Sequence, residues 1–406
     1  MKYFKIVTKL LHRYLGWISG IVVFILCVTG LLLLIQPEVE RFVEPRRFVL
    51  PKNDAPVLSI DELIAELERS ESESFDEPTT VRVTWLRSSK SPRRAWNVSF
   101  SARDSRDSWN YQGFADPRTG RCVAWGASRT SNFFFSVRRL HVFLWLPPKI
   151  GRQVAGYSCL IFALVLITGF IRWIPNKLGS AKQWKNALTL QLRKGAKRAI
   201  YDLHNVLGFY AALVLLLLAL TGAYLALPGV RNFWNHAIGA DVAKRPQVKL
   251  RSPEPSDETV ALATILERQD EQTPRAKGYS IRFPSKNGQA LEITPRGGFV
   301  DFARQNCHYW DRKSGTLLGV ERYADLPTPL KINALLLPLH KGVLFGDATR
   351  YLFLLCCATG CILAATGYML TWNRLGGSGK NVKKEPTTNV ADSDNKSDGN
   401  STTTKD

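Results

Sequence analysis

The chain has 406 residues, of which 45% are hydrophobic and 22% charged. This length and composition exclude a small disulfide scaffold and an intrinsically disordered chain. The formal net charge of +21 would suit either nucleic acid or a membrane surface as a partner. The positions of the basic residues decide between the two.

Four long apolar runs predict membrane spans, because each is close to the roughly 20 residues that cross a hydrocarbon layer of roughly 30 Å. The runs are Tyr14 to Ile35, Val154 to Ile174, Val206 to Leu227 and Tyr351 to Trp372. The first run is too long for the apolar part of a secretory signal, and no small-residue cleavage site follows it. We therefore expect an uncleaved anchor.

Basic residues flank these runs. Lys2, Lys5, Lys9 and Arg13 precede the first run without an acidic residue, and the loop between the second and third runs is equally basic. Short loops of this kind stay in the cytoplasm. We therefore expect both termini and the middle loop inside, and residues 36–153 and 228–350 outside. The charge is thus explained by the lipid bilayer, and no nucleic-acid partner is predicted.

The sequence contains an internal repeat, in which the two halves share the same motifs in the same order. Four Leu-His pairs occur, at Leu11-His12, Leu140-His141, Leu203-His204 and Leu339-His340. Each is followed by a Thr-Gly pair, and these lie at Thr29-Gly30, Thr168-Gly169, Thr221-Gly222 and Thr366-Gly367. Because the first and third spans run in the same direction, we expect an axis along the membrane normal to relate the halves.

The outside segments repeat more faintly, and each is predicted to form a small α+β domain. Predicted helices cover Ser59 to Arg69, with a capping-box pattern, and Asp257 to Arg268. Alternating residues typical of strands follow at 81–85, 95–100 and 279–283. A turn containing Asp116, Thr119 and Gly120 corresponds to one containing Asp311, Ser314 and Gly315.

The predicted fold is a four-helix transmembrane bundle from two tandem repeats, with two α+β extracytoplasmic domains. The first half comprises 1–35 (N-terminus and span 1), 36–139 (first outside domain) and 140–174 (outer histidine segment and span 2). A basic cytoplasmic loop, 175–203, leads to 204–227 (span 3), 228–338 (second outside domain) and 339–373 (outer histidine segment and span 4). A disordered cytoplasmic tail is predicted for 374–406.

Four of the six histidines belong to the repeat. His12 and His204 fall at the cytoplasmic ends of spans, and His141 and His340 fall on the outer side. Imidazoles from facing helices can hold a haem iron axially, so two b-type haems are predicted, with His12 paired to His204 and His141 to His340. Small residues one and two turns after His12 and His204 leave room for a flat ring. The alternative is helix packing by small residues, with interfacial histidines.

Six basic residues near these histidines are candidate contacts for haem propionates: Arg13 inside, and Arg138, Arg139, Arg152, Lys341 and Arg350 outside. They equally suit membrane-edge residues whose charge reaches water. His236 and His308 are expected to be ordinary surface or packing residues. Cys122 and Cys307, one in each outside segment, leave a disulfide open.

The Leu-His-x-x-x-Gly pattern with its later Thr-Gly, and the span ending Thr-Gly-Phe-Ile-Arg-Trp, resemble the PepSY-associated transmembrane family. Members of that family include bacterial inner-membrane ferrisiderophore reductases, and the resemblance covers most of residues 9–374. It implies an oxidoreductase that transfers electrons through haem from a cytoplasmic donor, a reductase or a quinol, to ferric siderophore in the periplasm. It also implies PepSY-like outside domains and the four repeated histidines as haem ligands. Trp145, Pro147 and Pro148 depart from the smoother helix start expected after His141.

Two other classes of function stay open. One is a membrane-anchored PepSY-type binding or peptidase-regulatory protein without redox activity, which needs no histidines at both membrane faces. The other is an iron-complex transporter, although the predicted spans hold few of the charged residues that mark an ion path. The sequence contains no nucleotide-binding motif in a suitable context, so electron transfer requires a separate donor.

Overall fold

The computed structural model describes residues 2–378 apart from 53, 92, 106, 176–179, 192–194, 247–258, 285–289 and 298–305. Among the helices of this part of the chain, four are long and apolar enough to cross a membrane. They are α1 (Lys2–Val43), α4 (Pro148–Trp173), α6 (Ala196–Ala226) and α10 (Asp347–Ser378). They pack in the cyclic order α1, α4, α6, α10, so α1 and α6 face each other across the bundle. The predicted four-span bundle is confirmed.

The helices extend beyond the predicted spans, because polar helix formers continue a helix after its apolar run has ended. Helix α1 runs to Val43 with Pro37 inside it, and α6 begins at Ala196, ahead of the expected start at residue 204. Helix α10 reaches Ser378, past the expected end at residue 373. The rest of the predicted disordered tail lies outside the described residues.

Outside the bundle, the strands of both halves form one antiparallel sheet. The first half supplies β1 (Thr80–Arg87), β2 (Trp96–Arg103), β3 (Ser108–Asp116) and β4 (Arg121–Trp125). The second supplies β5 (Gly278–Arg282), β6 (Leu291–Arg296), β7 (Cys307–Trp310) and β8 (Leu317–Glu321). The order is β4-β3-β2-β1-β5-β6-β7-β8, with Leu86 opposite Ile281 where the halves meet. Pairing β1 with β5 removes two exposed strand edges.

Two helices cover one face of this sheet, α2 (Ile60–Ser72) and α8 (Leu262–Gln272). Their apolar residues and those of the strands form a single core that includes residues of both halves. The capping box of Ser59 and Glu62 is present. The second helix begins at Leu262 rather than at Asp257, which lies outside the described residues. The N–H groups of Leu262 and Ala263 lie in the first turn, where the helix itself supplies no acceptor. They donate to the carboxylate of Asp61, in the first half of the chain, at 2.9 Å each.

The two predicted turns correspond in detail. The N–H of Gly120 donates to the Asp116 carbonyl at 3.0 Å, and that of Gly315 donates to the Asp311 carbonyl at 3.0 Å. Both glycines are left-handed, with φ of 66° and 64°, a conformation that glycine adopts without strain. The faint repeat of the outside segments therefore reflects a repeated structure.

The sheet edges lead into the bundle. Strand β4 is followed by α3 (Arg129–Phe143), and β8 is followed by α9 (Thr328–His340). Helix α3 ends in a turn with Leu144 and Trp145 at φ of 52° and 55°, and Pro148 is the first residue of α4. The unusual residues after His141 thus form the corner between α3 and α4. Two shorter helices, α5 (Ala181–Leu188) and α7 (Pro228–Ala237), complete the connections.

The open question of the outside cysteines is settled by this topology. Cys122 lies on β4 and Cys307 on β7, and both thiols are free. Five strands separate β4 from β7, which places the two strands about 29 Å apart at the usual strand spacing. A disulfide between these cysteines would need a different sheet.

Candidate functional site

Two histidines meet across the bundle at the end away from the sheet. His12 projects from α1 and His204 from α6, and their ring centroids are 6.1 Å apart with planes at 79°. The helices α1 and α6 are diagonal partners, so both rings lie inside the bundle. We call His12 and His204 the sheet-distal pair.

A second pair lies at the end of the bundle nearer the sheet. His141 is in the last turn of α3, and His340 is the last residue of α9. Their ring centroids are 6.4 Å apart with planes at 49°. The structure therefore brings together both of the predicted pairs, and we call His141 and His340 the sheet-proximal pair.

Each histidine is held by the threonine of a Thr-Gly pair. The Nδ1 atoms lie near threonine Oγ1 atoms at 2.8 Å for His141 and Thr29, 2.8 Å for His340 and Thr221, 3.0 Å for His204 and Thr366, and 3.4 Å for His12 and Thr168. The Nδ1 atom of His12 also lies 3.0 Å from the Val165 carbonyl oxygen. The Leu-His motif and the Thr-Gly motif thus supply the two partners of one contact.

The hydrogen bonds of the threonines fix the direction of this contact. Every one of the four hydroxyls donates to the carbonyl four residues earlier, at 2.6–2.8 Å. Since a hydroxyl has one proton, its oxygen is left to accept, and the imidazole Nδ1–H must donate. Each Nε2 then carries the free lone pair of a neutral ring, which is the form of histidine that binds a metal.

The glycine of each Thr-Gly pair makes room for the ring. A β-carbon on Gly169 would lie 3.0 Å from Cε1 of His12, and one on Gly367 would lie 3.3 Å from Cε1 of His204. The corresponding distances are 3.3 Å from Gly222 to His340 and 3.6 Å from Gly30 to His141. Three of these four positions are too close for an unhindered side chain.

The spacing of the rings fits two imidazoles on one metal ion. Metal–imidazole bonds of roughly 2.0–2.1 Å, with about 1.1 Å from each nitrogen to its ring centre, give centroids about 6.3 Å apart. The observed separations are 6.1 and 6.4 Å. Within the described residues, no group of three or more His, Cys, Asp or Glu side chains could hold a metal ion. Two imidazoles at this spacing could hold a metal ion whose other ligands come from a macrocycle, as in haem.

Small and aromatic residues surround the sheet-distal pair. A cavity there is lined by the glycines and alanine predicted to leave space: Gly16, Gly20, Gly208 and Ala212. On one side Trp173 stacks on Phe209 with ring centroids 3.7 Å apart, and the Trp173 indole N–H donates to the Ala187 carbonyl at 3.1 Å. This cavity opens between the four spans, as a flat ligand held by both histidines requires.

Two of the predicted propionate contacts, Arg13 near the sheet-distal pair and Arg152 on α4, make local contacts. The guanidinium of Arg13, which lines the cavity, donates to the Tyr14 hydroxyl at 3.0 Å. That of Arg152 lies over the Phe143 ring at 5.4 Å. Neither side chain is locked into an ion pair that the structure records.

Arg350 has a different role from the predicted propionate contact. Its side chain is only 8% exposed, and its guanidinium donates to the Glu38 carboxylate, to the Leu34 carbonyl and to Asp347. These bonds fasten α10 to the end of α1 nearer the sheet. The charge of Arg350 is thereby neutralised within the protein.

Arg138, Arg139 and Lys341 are exposed, and they are close in the chain to the sheet-proximal histidines. Arg138 is one helical turn before His141, and Lys341 directly follows His340. Partial burial, together with the charge of Arg138, lowers the pKa of the Lys341 amine.

The two remaining histidines stand apart from the pairs. His236 is exposed and bonded to Asp241 at 2.9 Å, as expected for a surface residue. His308 is buried on β7, where burial lowers its pKa. The part of the site that sequence reasoning missed is the holding role of the threonines, although the repeated Thr-Gly spacing carried that signal.

The comparisons with known proteins agree with this architecture. A family model described as the PepSY-associated TM region matches residues 10–374, which is most of the chain. No curated protein matches the chain.

Proposed function

Because the chain belongs to the family of PepSY-associated TM regions, we propose that it is a haem-containing inner-membrane oxidoreductase. In this proposal it transfers electrons from a cytoplasmic donor, a reductase or a quinol, to ferric siderophore in the periplasm. Both termini are cytoplasmic and the eight-stranded sheet is periplasmic. The histidine pairs His12/His204 and His141/His340 are the ligands of two b-type haems.

The observation that carries the proposal is the paired geometry of the four histidines. A histidine at a membrane edge needs no second histidine 6 Å away, no threonine on its Nδ1 atom and no glycine beneath its ring. All three features occur at both ends of the bundle. A binding or regulatory module without redox chemistry would not require any of them.

The positions of the pairs suit transfer across the bilayer. Along α1, His12 and Thr29 are 17 residues apart, which corresponds to about 25 Å of helix. Since Thr29 holds His141, the two pairs are separated by most of a hydrocarbon layer of roughly 30 Å. Bound haem would supply a reversible one-electron couple at each end. The chain holds each imidazole at a fixed depth, where its Nδ1–H group donates to a threonine hydroxyl oxygen.

Reduction of the substrate accounts for iron release. One electron from the donor converts the ferric ion of the siderophore to the ferrous ion, which hard oxygen ligands hold less strongly. The siderophore itself is not consumed. The donor supplies the electron, and the histidine segments at the ends of α3 and α9 place the sheet-proximal pair at the face where the chelate arrives.

The proposal is tested by the dithionite-reduced minus oxidised absorption spectrum of the purified full chain, with haem measured per chain. We expect sharp b-type bands and about two haems per chain. His12→Ala and His204→Ala are each expected to remove one haem, and His141→Ala and His340→Ala to remove the other. His236→Ala, at an exposed histidine outside the pairs, is the matched control and should keep both.

Mixing the reduced protein with a ferric siderophore then tests the reaction. Reoxidation of the haem together with formation of ferrous iron supports it. A colourless protein from haem-replete cells, or the same haem content in all five variants, would contradict the assignment. The better account would then be a membrane-anchored binding or regulatory protein.

A further inference from the structure

The two segments that carry the sheet-proximal histidines have an unusual charge. Residues 129–147 and 328–346 contain five basic residues and no acidic one. The basic residues are Arg129, Arg138, Arg139, Lys331 and Lys341. In a chain with 34 acidic residues, this one-sided charge on both segments needs a cause.

Membrane topology does not supply that cause. Basic residues accumulate in short loops on the cytoplasmic side, whereas these segments are continuous with the sheet through β4 and β8. They therefore lie at the end of the bundle opposite the basic middle loop. Their charge works against the usual bias, which points to a role at the site itself.

Two acidic residues at this end of the bundle are already paired with another arginine. Glu38 and Asp347, at the same end of the bundle, are both bonded to the buried Arg350. Arg138 lies one helical turn before His141, Lys341 directly follows His340, and both side chains are exposed. Exposed basic residues gathered at one face favour the approach of an anion.

A haem at this pair would not remove the surplus. Its two propionates would neutralise two of the five basic residues, and the others would still give the face a positive potential. Such a face attracts anions from solution and slows the approach of cations. The charge of the arriving chelate is therefore selected where the electron leaves the protein.

We propose that the electron acceptor is a ferric chelate of net negative charge, drawn to the sheet-proximal pair by Arg138, Arg139 and Lys341. This inference rests on the proposed reductase function and specifies its substrate class. Chelates with carboxylate or catecholate donors belong to this class. Neutral trihydroxamates do not.

The test is stopped-flow reoxidation of the reduced full-length protein by two probes, the doubly negative ferric diethylenetriaminepentaacetate and a neutral ferric trihydroxamate. For the anionic probe we expect the second-order rate constant to fall roughly tenfold as ionic strength rises from about 0.01 to 0.2 M, since salt screens steering. The rate with the neutral probe should not change. Each probe is compared with itself, so differences in reduction potential cancel.

The variant Arg138→Gln/Lys341→Gln separates this charge effect from a general loss of activity. We expect it to lower the ratio of the anionic-probe rate constant to the neutral-probe rate constant several-fold and to flatten the salt dependence of the anionic probe. Arg103→Gln removes the same kind of charge at the end of β2, away from the bundle, and should change neither rate. The haem spectrum of each variant shows whether the sheet-proximal site is intact.

The possible failures are distinguishable. If the reoxidation rates with both probes do not depend on salt and are the same in the wild type and the double variant, the inference of an anionic acceptor is wrong and the reductase function stands. If a haem-loaded protein is reoxidised by neither probe, the proposed function fails, and the inference fails with it.

Discussion

The imidazole of His141 is bonded to Thr29, 112 residues earlier in the chain, with its Nδ1 atom 2.8 Å from the hydroxyl oxygen. Both residues belong to the first half. The same holds for the other three bonds, because every histidine is held by a threonine of its own half. The two ring pairs, in contrast, always join one half to the other. Each half therefore positions its own two histidines, and each of these histidines meets one from the other half.

The hydroxyl of Thr29 can be tested by two substitutions. Thr29→Val keeps the shape but removes the acceptor of the His141 N–H, so we expect a less basic ligand and a shifted midpoint potential for one haem only. Thr29→Ser keeps the hydroxyl and should retain the wild-type potential. Potentiometric titration of both variants checks this, and an equal shift in both would show that the hydroxyl is not what matters.

The glycines beneath the rings predict a graded effect. A methyl group at position 169 would meet His12 at 3.0 Å, whereas one at position 30 would lie 3.6 Å from His141, which is ordinary contact. Gly169→Ala is therefore expected to displace its ring and reduce haem retention, and Gly30→Ala to have little effect. Haem per chain after detergent purification measures both. Equal retention would mean that the ring at His12 shifts freely.

Arg47 is expected to be essential for the join between α1 and the sheet. Its guanidinium is 3% exposed, is paired with Glu44 at 2.6 Å, and donates to Ser131 at 2.8 Å and to the carbonyls of Trp125 and Gly126. Arg47→Met removes the cationic partner of the Glu44 carboxylate and the donor to these acceptors, which costs about 3–5 kcal/mol. Thermal unfolding in detergent should show a clear loss of stability.

The neighbouring Arg46 provides the control for that experiment. Its side chain is exposed, so Arg46→Met should change the stability by no more than about 0.5 kcal/mol. Equal effects of the two substitutions would mean that the bonds of Arg47 contribute nothing specific.

Glu71 predicts a pH dependence of stability. It lies beneath the sheet with 4% exposure and accepts from the Tyr111 hydroxyl at 3.2 Å, and burial raises the pKa of its carboxyl. The folded protein therefore holds the proton more tightly than the unfolded chain does. The resulting stabilisation is present in acid and is lost as pH rises through the folded pKa.

We expect Glu71→Gln to remove this loss, so that the variant is more stable than wild type at pH 7.5 and closer to it at pH 4.5. The amide oxygen can still accept from Tyr111. Glu267→Gln, an exposed position on α8, should follow the wild-type curve at both values. Denaturant titrations at the two pH values are sufficient, and an E71Q difference that does not grow with pH would contradict the assignment.

Much of the architecture follows from local sequence. The four spans, the capping box at Ser59 and the turns at Gly120 and Gly315 depend on residues close together in the chain, and all were predicted. The histidine pairs were predicted because a repeat supplies the missing distance information: equivalent residues must lie at equivalent depths. The threonine that holds each histidine could not be read, since that contact depends on which helices are neighbours.

The single sheet was also beyond the sequence. Its central contact joins β1 and β5 through residues such as Leu86 and Ile281, 195 positions apart. An alternation of apolar and polar residues predicts a strand, but it does not identify the strand that will pair with its edge. The ends of α1 and α6 were missed for a different reason, because hydropathy marks the part of a helix in lipid and not the part in water.

The two halves are joined in one polypeptide, and this affects how their sequences can diverge. In a symmetric dimer of separate subunits, any substitution occurs on both sides of the axis. In a fused chain, one side changes alone, and a difference is already visible: the Nδ1 atom of His12 lies 3.4 Å from the Thr168 hydroxyl oxygen, while that of His204 lies 3.0 Å from the Thr366 hydroxyl oxygen. Duplication followed by fusion thus lets the two imidazoles of one pair be adjusted independently.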